Sequence, residues 1–116
     1  MAAFSKVKLS GSTDGKCVKI TATATAGTTV HTAHATSLDE IYCWVSNTDS
    51  SDRTITIEWG GVTDPDNLLV KTLTIPANSG PILVVPGLIL TNSAVFAIFA
   101  SSASKINATG YVNRIT

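Results

Sequence analysis

The chain has 116 residues, and its eight Lys and Arg balance eight Asp and Glu, so the formal net charge is zero and charged residues make up only 14% of it. That length suits one domain of about 100–150 residues. The balance argues against a nucleic-acid partner, whose phosphates call for a basic surplus, and against steering to an anionic membrane.

An average soluble domain is roughly 25% charged, whereas this one combines sparse charge with a mean hydropathy of +0.28. Part of its surface is therefore expected to lie against a partner, rather than being solvated by Thr and Ser hydroxyls alone. The start, MAAFSKVKLSGS, lacks the basic region and apolar stretch of a signal peptide. The longest strongly apolar stretch, Pro81 to Leu90, is broken by Pro86 and Gly87 and is too short to span a bilayer. Synthesis in a cytoplasm is the expectation. In that reducing setting Cys17 and Cys43 read as buried thiols, with a disulfide between them as the alternative.

In chain order, residues 1–9 read as an N-terminal arm or edge strand and residues 10–116 as a β-sandwich domain. Period-two alternation begins at Cys17–Ala24, with Val18, Ile20 and Ala22 on one side and Lys19, Thr21 and Thr23 on the other. In Ile41–Val45, Ile41, Cys43 and Val45 oppose Tyr42 and Trp44, so one set must look outward or into a contact. Arg53–Trp59 places Ile55, Ile57 and Trp59 inward. Further strands are expected at Leu68–Ile75, Ile82–Val85, Ala94–Ser101 and Ile106–Ile115. The punctuation is Gly11–Gly15, Ala26-Gly27, Asn47–Asp52, Gly60–Asn67, Pro76–Gly80 and Pro86-Gly87. Seven to nine short antiparallel strands and no helix-period segment predict an all-β, jelly-roll-like sandwich. Ala94–Ala100 and Pro81–Val85 are apolar on both faces, which marks strands covered by a second layer or by a subunit contact.

Residues that carry chemistry are scarce. His31 and His34, three apart, point to opposite faces of a strand and make a poor metal pair, so both read as surface or interface side chains. Ser, His31 and Asp39 make a triad only on paper, because no nucleophile elbow or oxyanion loop marks any serine. Gly60-Gly61 is not a phosphate loop. The acidic stretches Asn47–Asp52 and Asp64–Asn67 offer oxygens, but Asp, Asn and Ser are also what tight turns require. Asn107-Ala-Thr109 fits the glycosylation acceptor pattern, and without a secretion signal it is expected to stay unmodified. Neither an enzyme nor a cofactor is indicated.

The stretches FSKVKLSGSTDGKCVKI, DEIYCWVSN, RTITIEWGG, LTIPANSGPILVVPGLIL and INATGYVNRIT resemble a group of small tailed-phage virion proteins similar to head decoration (cement) proteins. The likeness covers nearly the whole chain, and none of its motifs is catalytic. It implies a protein made in the bacterial cytoplasm that binds the exterior of the capsid as a homotrimer or homodimer. Its partners would be the major capsid protein and its own copies, with no nucleic acid and no membrane. A tail or neck component, or a surface glycan-binding module with an aromatic platform formed by Trp44 and Trp59, is the alternative. The candidate contact residues are Phe4 and Lys6 on the N-terminal arm, Tyr42 and Trp44, Val62 and Asp64 in the Gly60–Asn67 loop, and Phe96 and Ile98 on the Ala94–Ala100 strand.

Overall fold

A computed structural model describes residues 3–116, and it contains nine strands and no helix. They are β1 (Phe4–Lys8), β2 (Val18–Ile20), β3 (Thr28–Thr32), β4 (Leu38–Asn47), β5 (Arg53–Trp59), β6 (Leu68–Ile75), β7 (Ile82–Leu90), β8 (Val95–Ala100) and β9 (Ile106–Ile115). Every pairing is antiparallel.

The pairs are nested: β5 with β6, β4 with β7, β3 with β8, and β2 with β9. This is one long hairpin, folded at the β5–β6 turn and rolled up. Contacts of β4 with β9 and of β5 with β8 then close it into two sheets. The first sheet runs β1-β9-β4-β7, with β2 placed end to end with β1 along β9, and the second runs β3-β8-β5-β6. Nested pairing in this order is the jelly-roll form of the β-sandwich.

Alternation builds the core. Ile41, Cys43 and Val45 of β4 point inward with Ile106, Ala108 and Val112 of β9, opposite Ile55 and Ile57 of β5 and Phe96, Ile98 and Ala100 of β8. Each fully buried aliphatic side chain contributes about 1.5–3 kcal/mol relative to exposure. Trp59 packs on Phe96 at the margin of this core, with ring centroids 5.2 Å apart.

Several expectations are corrected. The strand expected over Cys17–Ala24 is only Val18–Ile20, because the Thr28 hydroxyl accepts the Thr21 and Ala22 N–H groups and bends the chain toward the second sheet. Pro86-Gly87 is not a turn but lies inside β7. There the register with β4 shifts twice, and Gly87 takes a φ of 84°. β7 is an edge strand, where a proline costs no ladder bond and a bulge is tolerated. Cys17 is exposed rather than buried, while Cys43 is buried, and both are free thiols.

Candidate interaction face

The face of the first sheet that points away from the core carries apolar and aromatic side chains. Odd residues of β9 and even residues of β4 look outward here, which settles which set of the DEIYCWVSN run is exposed. Phe4 is 75% exposed, Leu38 and Leu83 are 45% exposed and Ile89 is 44% exposed. The register shifts in β7 keep Val85 in the core while turning Leu83 and Ile89 to the open side, beside Trp44 and Glu40. The apolar run of β7 thus serves two faces, one closed and one open.

Between these residues stands a row that crosses β1, β9, β4 and β7. The Lys6 ammonium of β1 sits 4.6 Å from the centre of the Tyr111 ring of β9. On its other side Tyr111 stacks with Tyr42 of β4 at 5.1 Å, and the Tyr42 ring rests against Gly87 of β7, where an added Cβ would lie 2.8 Å from it. Trp44 joins the group 6.4 Å from Tyr42 and 6.1 Å from Tyr111. Such aromatic and cation–π pairs contribute roughly 0.5–1.5 kcal/mol each beyond area burial. The Tyr42 hydroxyl is held above its ordinary pKa, chiefly by the negative charge of Glu40, and Glu40 itself accepts a hydrogen bond from Asn113 at 3.1 Å.

The second sheet treats its outer side differently. Residues Thr25–Gly27 lie across β8: the Gly27 N–H donates to Glu58 Oε1 at 2.7 Å, and the Thr25 hydroxyl donates to Glu58 Oε2. Ala97 is covered as a result, and Gly27 passes so close to the Ile98 backbone that no Cβ would fit.

The candidate contact residues therefore separate. Phe4, Lys6, Tyr42 and Trp44 share the open face of the first sheet. Val62 is exposed in the Gly60–Asn67 loop, and Asp64 is paired with Lys71 at 2.6 Å. Phe96 and Ile98 are corrected: both are 0% exposed, because pairing with Trp59 and Ile57 turns them into the core. Leu38, Leu83, Ile89 and Tyr111 belong to the open face and went unnamed from sequence. For Tyr111 the signal was available as alternation in phase with the polar Thr109 and Asn113.

Both ends of the sandwich carry buried polar ties between the sheets. At one end Asp39 accepts from Arg114 Nε at 2.8 Å, from its second nitrogen at 3.1 Å, from the His34 N–H at 3.1 Å and from His31 Nε2 at 2.7 Å. His31 Nδ1 accepts the Ser10 N–H at 2.9 Å, so Nε2 carries the donated proton. The serine nearest this His-Asp pair thus meets it through its amide, while its hydroxyl accepts the Thr32 N–H. Burial alone would raise the Asp39 pKa, but Arg114, His31 and the His34 amide outweigh it and hold the group at about 2.

His31 is a correction too: it is 1% exposed, not a surface side chain. His34 is half-buried, and its Nδ1 accepts the Thr36 and Ser37 N–H groups. At the opposite end Asn47 donates to the Ser51 and Ile75 carbonyls. Turn chemistry also occupies Asp49, which pairs with Arg53, and Asp52, which accepts the Ala77 N–H. Among the described residues no group of three or more His, Cys, Asp or Glu could hold a metal ion.

No protein-family profile matches the chain, nor does any curated protein or any solved structure.

Proposed function

We propose that this chain is a structural virion protein that binds the outer surface of a tailed-phage capsid and stabilises the shell by association. The observation that carries the reading is the open face of the first sheet, where Phe4, Leu38, Leu83 and Ile89 surround the Lys6–Tyr111–Tyr42 row. Large apolar side chains exposed together on one face of a small domain support a contact surface there. Aromatic side chains of the Tyr42 and Trp44 kind supply most of the binding energy where such surfaces close.

A standard contact buries about 800 Å² on each partner, and the chain's accessible surface totals 5836 Å². Contacts with a neighbouring copy and with the shell would each take a sizeable share of it. A protein that binds assembled shell but not dissociated subunits stabilises the lattice by its binding free energy at every copy. The jelly-roll topology is compatible with this role, since it recurs in viral capsid domains and in lectins, and it does not by itself set the function. A sugar platform needs its rings side by side, whereas Trp44 stands on the outer face of the first sheet and Trp59 packs on Phe96 in the second. That favours protein contact over glycan binding.

Copy number in purified particles tests the proposal. A shell-binding protein approaches the abundance of the capsid subunit and increases the survival of particles on heating or chelation. Copies in the tens or fewer would instead assign it to the tail or neck, and equal survival without it would remove the stabilising role.

A further inference from the structure

The open face of the first sheet is complementary to itself about β9. Its outward side chains stand abreast in rows, the middle member of each coming from β9. One row is Phe4, Ile115 and Leu38, and the next is Lys6, Asn113 and Glu40. Phe4 on β1 thus balances Leu38 on β4, and the two are 75% and 45% exposed. In the next row a cation on β1 balances an anion on β4. Asn113 stands between them, and neither Lys6 nor Glu40 belongs to an ion pair among the described residues.

A second copy laid face to face on this sheet, with a two-fold axis running along β9, brings β1 of each copy over β4 of the other at the same height. Phe4 then meets the partner's Leu38, and Lys6 meets the partner's Glu40, each match occurring twice by symmetry. In the third row Lys8 comes over the ring of the partner's Tyr42, a cation–π placement. Facing sheets lie about 10 Å apart and turn by about 30° relative to each other. For a strand about 4.8 Å from the axis that turn is a slip of about 2.4 Å, against about 6.7 Å between rows, so the matching survives it. A three-fold ring sets unlike patches against each other and would leave this self-match unused.

We infer that β1, β9 and β4 form the contact of a two-fold dimer of this chain, held by Phe4 against Leu38 and Lys6 against Glu40 between copies. The inference rests on the reading of the open face as a contact surface, and it names a second copy as what covers these three strands. Leu83 and Ile89 border the contact on β7, with Ile89 directly beside Glu40.

Sedimentation equilibrium of the full chain over a concentration series at low ionic strength tests it. The wild type should form a species of twice the 12.0 kDa chain. Lys6→Glu sets carboxylates face to face and Glu40→Lys sets ammonium groups face to face, so either variant alone should dimerise about tenfold or more weakly. An equimolar mixture of the two should recover the dimer, because every contact between unlike chains is again an opposite pair. Repair within one chain could not produce that recovery. Phe4→Asp, at the most exposed of the large apolar side chains, should also weaken the dimer and serves if Glu40→Lys does not fold. A wild type that stays single or assembles in threes, a folded variant that dimerises as tightly as the wild type, or a mixture of folded variants that stays single would each overturn the inference. Single wild-type chains that nonetheless coat DNA-free heads would overturn it and leave the capsid reading standing.

Discussion

His31 Nε2 on β3 and Asp39 Oδ2 on β4 lie 2.7 Å apart and bridge the two sheets at one end of the sandwich. Arg114 closes the group from β9 by bonding both Asp39 oxygens. The Asp39 pKa of about 2 lies below the value of about 4 for an unfolded chain. As pH falls, the unfolded chain therefore takes up the proton first. The resulting stability, roughly 2 kcal/mol, is complete above the unfolded value and drains away between about pH 4 and pH 2. Urea unfolding midpoints should fall across that window in the wild type, with a smaller fall in Asp39→Asn. Arg114→Ala leaves the buried carboxylate with only His31 and the His34 N–H and should cost about 2–4 kcal/mol near neutral pH.

The two thiols should differ sharply in reactivity. Burial pushes the Cys43 thiol up to about 12, while Cys17 is exposed in a loop. Thiolate is the reactive form, so a disulfide-exchange reagent should titrate one thiol in the native protein and both in urea. Rapid labelling of both under native conditions would contradict the burial of Cys43.

Gly110 stands opposite Cys43 in the β4–β9 ladder, and a Cβ there would lie 2.0 Å from the Tyr42 carbonyl oxygen. That neighbour is backbone and cannot rotate away. Gly110→Ala should therefore cost about 3 kcal/mol or more, or prevent folding, as judged by thermal or urea unfolding. Gly15→Ala is the contrasting case: its φ of 81° adds strain, but nothing lies within 4 Å of the new methyl, and a loss of about 1 kcal/mol is expected.

The legible parts of the fold are those where alternation and turn residues agree. Arg53–Trp59, where the alternation is clean, and Leu68–Ile75 and Ile106–Ile115, each set off by turn residues, are strands over the very residues expected. Pro86-Gly87 misleads because the pair carries turn chemistry, and only its place on an edge strand turns it into a bulge. Ala94–Ala100 is apolar in both phases, so no pattern within it reveals that Phe96 and Ile98 point inward. Register against Ile57 and Trp59 decides that.

The polar ties divide in the same way. Asp39 and Asn47 stand in phase with Ile41, Cys43 and Val45, which marks both as inward-facing. Their partners are hidden by distance along the chain, since Arg114 lies 75 residues from Asp39. The open face was half legible: the opposition of Tyr42 and Trp44 to the core set is local, but the Lys6–Tyr111–Tyr42 row requires three strands to be aligned.

Sedimentation of the purified chain, alone and mixed with DNA-free phage heads that lack it, tests the role of that face most directly. The wild type should sediment as a multiple of the 12.0 kDa chain or travel with the heads in a fixed ratio. A Leu83→Lys/Ile89→Lys variant, which changes only two outward-facing side chains, should keep its fold and do neither. A wild type that stays a single chain and leaves the heads bare, or a folded variant that associates like the wild type, would contradict the account.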